Sequence, residues 1–193
     1  MIRNDGNKAY GFVCNLSNKD EIYSVSKAVK TQVGNITMLI NNAGIVSGTS
    51  LLDTSDGKIF VIYVFTAEQP RPLITLVHTS MIKSFFTEKI ERTFNVNVLA
   101  HFWTIKSFLP DMINAKKGHI VTVASLAGHS GTNKLVDYCA SKFANIGMDE
   151  ALKVELMVQG LDSYIKSTVV CPYYISTGMF QGVASKVNIC FMV

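Results

Sequence analysis

Short apolar runs alternate with long amphipathic stretches along this chain, and that alternation limits the fold more than any other property of the sequence. Strands are expected over 8–14, 36–40, 118–124 and 165–171. Helices are expected over about 19–33, 86–114 and 136–159, with a disrupted helix after the second strand. Elements alternating in this way indicate an α/β chain built on a doubly wound parallel sheet. At 48% hydrophobic and 17% charged residues over 193 positions, the composition agrees with one globular domain.

Several function classes find no support. The net charge of +4 is small and the Lys residues are scattered, so nucleic-acid binding has no footprint. Cys14, Cys139, Cys171 and Cys190 lie in or beside apolar segments without Cys-x-x-Cys spacing, which favours reduced thiols over disulfides or zinc. His78, His101, His119 and His129 lack metal-ligand spacing and read as packing or surface residues, so no metal site is expected. The first eight residues are polar and do not form a secretory signal. The longest unbroken apolar stretch, Ile59 to Phe65, falls far short of the roughly 18 residues of a helical span. The expected location of the chain as written is therefore cytoplasmic.

Chemistry enters with Tyr138 and Lys142, four residues apart, and with Ser125 thirteen residues upstream. A phenol has an ordinary pKa of about 10, so a Tyr that moves protons at neutral pH needs a cation beside it. Positions i and i+4 of a helix share a face, which would set the Lys142 ammonium next to the Tyr138 hydroxyl. Ser125 could then hold a substrate oxygen. The pair alone is weak: seven Tyr in a Lys-rich chain predict about half a chance match. Tyr23 and Lys27 have the same spacing but Tyr at position 10, where a Ser would be needed, and read as helix surface. Without other features, Tyr138 and Lys142 would read the same way. Asn41-Asn42-Ala43-Gly44 supplies one such feature. It follows the apolar run Ile36-Thr37-Met38-Leu39-Ile40 and reads as a polar turn at a strand end, where open α/β sheets bind ligands.

The order of these motifs resembles the short-chain dehydrogenase/reductase family, from about Ala9 to Gly182. Phe94-Asn95-Val96-Asn97-Val98 is similar to the family's helix with a catalytic Asn, placed at Asn97. Gly118 to Ser125 is similar to the strand that delivers the catalytic Ser. Val169-Val170-Cys171-Pro172, followed by Ile175 and Thr177, resembles the segment that grips the nicotinamide end of the cofactor. His101-Phe102-Trp103, Ala127-Gly128-His129, Tyr138 to Lys142 and Cys171 to Phe180 are worded most like the retinol and 17β-hydroxysteroid dehydrogenase branch.

That resemblance implies an oxidoreductase moving a hydride between NAD or NADP, with NAD favoured by the branch, and a lipophilic alcohol or ketone of retinoid or steroid type. Tyr138 would be the acid/base. Lys142 would lower its pKa and bind the nicotinamide ribose, Ser125 would hold the reacting oxygen, and Asn97 would hold a water linking Lys142 to solvent. The cofactor contacts it implies are Asn15, Leu16, Asn41, Ala43, Gly44, Tyr138, Lys142, Pro172, Ile175 and Thr177. Intact relatives would sit at the endoplasmic reticulum or lipid-droplet surface through an N-terminal anchor, a segment without a match here. Family dimers commonly pack the helices containing Asn97 and Tyr138. A homodimer could therefore use Phe102, Trp103, Phe108, Ala144 and Met148, although such apolar spacing is more often core.

Departures from the family pattern are equally specific. No segment matches its Gly-rich first turn, and Asn15 stands where an Asp normally accepts a hydrogen bond from adenine. The chain is expected to be one partial domain over 1–193, lacking the first βαβ unit, with the strand at 36–40 left with an unpaired edge. Residues 57–87 read as an insertion or a retained intron, and 186–193 as a tail foreign to the family. The alternative function is a non-catalytic fragment that acts, if at all, by pairing with an intact homologue.

Overall fold

The computed structural model describes residues 10–48, 50–51, 74–75 and 89–173. Helix α1, Lys19–Val33, starts where Asn18 caps it: the side-chain oxygen accepts from Asp20 N and Glu21 N at 3.0 and 3.2 Å. It stops at Gly34, whose φ of 92° suits a residue without Cβ and whose N–H reaches Lys30 O. Strand β1, Met38–Asn41, follows, then a two-residue strand β2, Ile74–Thr75. Next come α2, Lys89–Phe94, a wide π-helical turn at Asn95–Leu99, α3, Ala100–Asn114, and β3, Gly118–Val123. A 3₁₀ turn at Leu126–Gly128, α4 at Val136–Val158 and β4 at Ile165–Val170 complete the order.

The four strands form one parallel sheet in the order β2-β1-β3-β4. Met38 to Asn41 pair with His119 to Thr122, and Gly118 to Val123 pair with Ile165 to Val170. Leu39, Ile120 and Ile165 share one face and pack with Val29 of α1, Ile105, Phe108 and Met112 of α3 and Leu156 of α4. The described core is thus a single layer between this sheet face and three helices, and the opposite face, where a doubly wound sheet carries a second layer, is half-buried to exposed among the described residues.

Three expectations change. Residues 10–14 form no strand: a strand needs a hydrogen-bonded neighbour, and none pairs with them among the described residues. Cys14 and Leu16 are buried instead against Ile22, Ala43 and Ala100. The edge of β1 is not left unpaired, because Leu39 and Ile40 pair in parallel with Ile74 and Thr75. The long helix expected over 86–114 is interrupted at Asn95–Leu99, where the Ala100 N–H reaches back to Asn95 O. The rest of the segment 57–87 and the tail 186–193 lie outside the described residues.

Two close approaches fix the sheet end that carries the site. A Cβ on Gly128 would lie 2.8 Å from Lys142 O and 2.6 Å from Ile146 Cδ1, so the 3₁₀ turn rests directly on the α4 backbone. Gly128→Ala is expected to lower stability by about 1–3 kcal/mol, since a helix carbonyl cannot move aside. Gly131→Ala, with nothing within 4 Å, should be nearly neutral. Urea unfolding of the two variants checks this, and equal midpoints would rule the contact out as a constraint. No described helix is long and apolar enough to cross a membrane.

Candidate active site

The site gathers at the carboxyl end of the sheet. Strand β3 ends at Val123 and delivers Ser125 in extended conformation, its φ being −172°. The Ser125 Oγ accepts from Ala127 N at 3.1 Å, which caps the 3₁₀ turn and holds the hydroxyl in place. Tyr138 lies in the first turn of α4, 6% exposed, and the nearby Ser125 side chain acts on its hydroxyl against the effect of burial. Its ring packs with Val46, Ala127 and Leu135. One turn on, Lys142 is 3% exposed and donates from Nζ to Val123 O at 2.9 Å, with Nζ 5.5 Å from the Tyr138 ring centroid. The i, i+4 spacing therefore puts phenol and ammonium on one face, beside the serine.

Asn97 sits in the π-helical turn, fully buried. Its Oδ1 accepts from Ile45 N at 2.7 Å, and its Nδ2 donates to Ile45 O and Ser141 Oγ at 2.9 and 3.0 Å. The side chain is thereby committed to locking the loop after β1. Both Nδ2 hydrogens are taken, so a water for Lys142 would use the second Oδ1 lone pair or the turn's backbone. The wide turn and this grip go together, because the turn re-aims a side chain that a regular helix would direct elsewhere. Gly44 completes the floor: a Cβ there would lie 3.5 Å from Asn97 Oδ1 and 3.6 Å from Lys142 Nζ.

Electrostatics depart from expectation in one respect. Burial raises the Tyr138 pKa above its ordinary value, and the Ser125 side chain only partly opposes this. Lys142, which was expected to lower it, directs its ammonium at Val123 O and is itself pushed down to about 8 by burial. At neutral pH in this state Tyr138 is a protonated phenol beside a charged lysine.

The expected cofactor contacts divide. Asn41, Ala43 and Leu16 line a small cleft with Ile40, Asn42, Ala100, His101 and Thr104. Asn41 Oδ1 accepts from Thr104 Oγ1 at 2.8 Å, and its Nδ2 has no hydrogen bond among the described residues. Asn15 Oδ1 accepts from Ser17 N and Ser17 Oγ at 3.1 and 2.7 Å, so both lone pairs expected to face adenine serve a local turn. Pro172 lies beside the serine, its carbonyl accepting from Leu126 N at 3.0 Å. Ile175 and Thr177 are outside the described residues.

The donor set fits a nicotinamide nucleotide. Lys142 Nζ carries three hydrogens, of which Val123 O takes one, leaving two for a ribose diol next to the Tyr138 hydroxyl. Sequence reasoning missed Ser141, which links Asn97 to Tyr138 O at 2.7 Å, and Asp137, which grips Ser47 and Thr93 at 2.8 Å each. Position i+3 from Tyr138 was the available signal for Ser141; Asp137 gave none beyond its place in the first turn of a helix.

Comparison with known proteins agrees with this geometry. The family model described as short chain dehydrogenase matches residues 1–64 and 74–188. The bovine protein named short-chain dehydrogenase/reductase family 16C member 6 is 42% identical over 179 residues, covering 93% of this chain and 46% of its own length. Human epidermal retinol dehydrogenase 2 is 41% identical, covering 94% of this chain and 49% of that protein. Estradiol 17-beta-dehydrogenase 11 of Macaca fascicularis is 37% identical, covering 95% and 50%. This chain spans about half the length of the curated relatives it matches. A metagenomic short-chain oxidoreductase solved with NADP superposes with a TM-score of 0.65 at 24% identity, over 88% of this chain and 62% of that one, and so shares the fold. With the family pattern spread over most of its length and Ser125, Tyr138 and Lys142 brought together at the sheet end, the chain belongs to the short-chain dehydrogenase family.

Proposed function

We propose that this chain carries the catalytic half of an NAD(P)-dependent oxidoreductase that interconverts a lipophilic alcohol and its carbonyl, of retinoid or steroid type. The observation that carries it is the placement of Lys142 Nζ 5.5 Å from the Tyr138 ring in one buried corner, at the end of the strand that delivers Ser125. The names of the relatives support the substrate class, and the branch resemblance favours NAD.

A bound nicotinamide would supply or accept the hydride. Ser125 would hold the reacting oxygen by its hydroxyl. In the reducing direction Tyr138, protonated and beside Ser125, donates its proton to that oxygen. In the oxidising direction the phenolate forms only when a cation offsets its burial, and Lys142 is the charge within reach. Asn97 keeps the Gly44–Ile45 floor in register beneath them.

A second copy of the chain is the protein partner in this reading. Phe108, Trp103 and Met148, considered above for a dimer surface, pack in or against the core, while Phe102 is 44% exposed. The stronger support is on α4, where Val136, Ala140, Phe143, Gly147, Ala151, Val154 and Val158 form one exposed stripe at helical spacing.

The test titrates the purified chain with NAD and NADP by calorimetry and assays retinol and a 17β-hydroxysteroid, with sedimentation velocity reading the dimer. Because these residues contain no match to the family's Gly-rich first turn, by themselves they are expected to bind nucleotide weakly and to turn over little; joined to that first unit, they are expected to bind nucleotide saturably and turn over either alcohol. Absence of both in the folded, joined protein would remove the enzymatic reading and leave the non-catalytic alternative.

A further inference from the structure

Asp137 is a buried carboxylate, 6% exposed, next to Tyr138, and nothing in the proposed chemistry uses it. Each of its oxygens accepts one hydroxyl: Oδ1 from Ser47 Oγ and Oδ2 from Thr93 Oγ1, both at 2.8 Å. The three residues come from three separate segments, each of which also carries part of the site. Ser47 lies three residues after Gly44, Thr93 one turn before Asn97, and Asp137 immediately before Tyr138. Thr93 is itself 1% exposed, so the junction is closed to solvent on that side.

Between Gly44 and Ser47 the loop is held twice. Asn97 grips Ile45 through its N–H and carbonyl, and Asp137 grips Ser47. Val46, bracketed by the two grips, is the buried residue that packs on the Tyr138 ring. We propose that Asp137 is a positioning residue: by clamping Ser47 and Thr93 it presses Val46 against Tyr138 and fixes the phenol opposite Ser125.

The carboxylate suits the task better than an amide. Ionised, it only accepts, so it fixes the direction of both hydroxyl protons, and hydrogen bonds to a charged acceptor are the stronger kind. An Asn would satisfy one hydroxyl as acceptor and require the other to turn round. An anion in the first turn of α4 is also favourably placed toward the helix N-terminus.

The role assigned to Tyr138 rests on the proposed function, whereas the clamp itself does not, and the experiment separates them. The chain is labelled with ¹³Cζ-tyrosine, and the Tyr138 resonance is assigned with Tyr138→Phe. Asp137→Ala and Asp137→Asn are compared with the wild type, and Asp111→Asn serves as a surface control. A shifted and broadened Tyr138 signal is expected in Asp137→Ala and a smaller change in Asp137→Asn, with the Tyr10 and Tyr164 signals unmoved in both. Amide exchange over 44–48 should accelerate by about tenfold or more in Asp137→Ala, while that of β3 and β4 stays constant. In turnover, kcat should fall by about tenfold or more with the nucleotide KM within about twofold, and Asp137→Asn should recover part of the loss. An unchanged Tyr138 signal with unchanged exchange over 44–48 in either folded variant overturns the clamp. Turnover is read on the chain joined to the family's first unit, and its absence in that wild type rejects the enzymatic reading while the resonance and exchange arms still decide the clamp. If Asp137→Ala does not fold, Asp137→Asn decides alone, and its Tyr138 signal must move for the clamp to stand.

Discussion

In the chain joined to the family's Gly-rich first unit, replacing Tyr138 with Phe is expected to lower turnover by about 10²–10⁴-fold and to leave nucleotide affinity and the fold nearly intact. Phe keeps the ring that packs on Val46, Ala127 and Leu135, so the surroundings of the side chain are preserved. What is lost is the hydroxyl and its polar interaction with the Ser125 side chain, at a stability cost of about 1 kcal/mol or less. The proton carrier is thus removed with little disturbance of the site, and the effect should appear in kcat rather than in the nucleotide dissociation constant. Steady-state assays with NAD and retinol, calorimetry with NAD, and a melting curve on the same preparation read the three quantities separately. Wild-type kcat in this variant would reject Tyr138 as the acid/base. A loss of nucleotide affinity as large as the loss of kcat would assign it to binding instead.

What the sequence shows and what it hides follows from the range of the interactions involved. Helix α1 matches the expected 19–33 because both of its ends are written locally, in the Asn18 cap and the Gly34 stop. Strands β3 and β4 were visible as apolar runs, and the partnership of Tyr138 with Lys142 follows from helical spacing alone. The strand expected at 8–14 fails because strand identity belongs to a pair of segments, and periodicity in one of them cannot show the other. The interruption at Asn95–Leu99 was hidden for the same reason: it accompanies a grip between Asn97 and Ile45, 52 residues apart.

The same distinction divides the site. Ser125, Tyr138 and Lys142 could be picked out by residue type and spacing, since the chemistry demands a hydroxyl, a phenol and a cation. The residues that hold them could not. Asp137 reaches Thr93 and Ser47 across 44 and 90 residues, and neither partner carries a signal of its own. Trp103 and Phe108 were left open between a dimer surface and the core, core being the commoner outcome for such spacing, and Phe108, 1% exposed, does lie in the core while the exposed stripe runs along α4. Hydrophobicity gives the face of a helix; only packing says what covers it.

Acid should destabilise this protein through His101, and replacing that residue should remove part of the effect. His101 is 2% exposed on α3, and among the described residues neither ring nitrogen has a hydrogen bond. Burial, reinforced by the charge on Lys142, pushes its pKa down to about 3 from an ordinary 6.5, with the Ala43 backbone opposing only in part. The folded chain therefore keeps the imidazole neutral down to pH 3, whereas the unfolded chain protonates it as pH falls through 6.5. Between those values the unfolded state binds more protons, so stability drops as pH falls. From pH 7 to pH 4 the loss from this group is on the order of 3 kcal/mol, from about 1.4 kcal/mol for each pH unit below 6.5. Lys142 works in another window: its pKa of about 8 lies below an ordinary 10.5, so the cost of burying its charge is present below pH 8 and is relieved as pH rises toward 10.5. In His101→Gln the acid window should flatten and the alkaline one should remain. Urea midpoints at pH 7 and pH 4 measure this directly, and the carboxylates, common to both proteins, cancel in the difference. Parallel losses in wild type and His101→Gln between the two pH values would show that the imidazole accepts a proton in the folded state at little cost, and would exclude it as the source of acid lability.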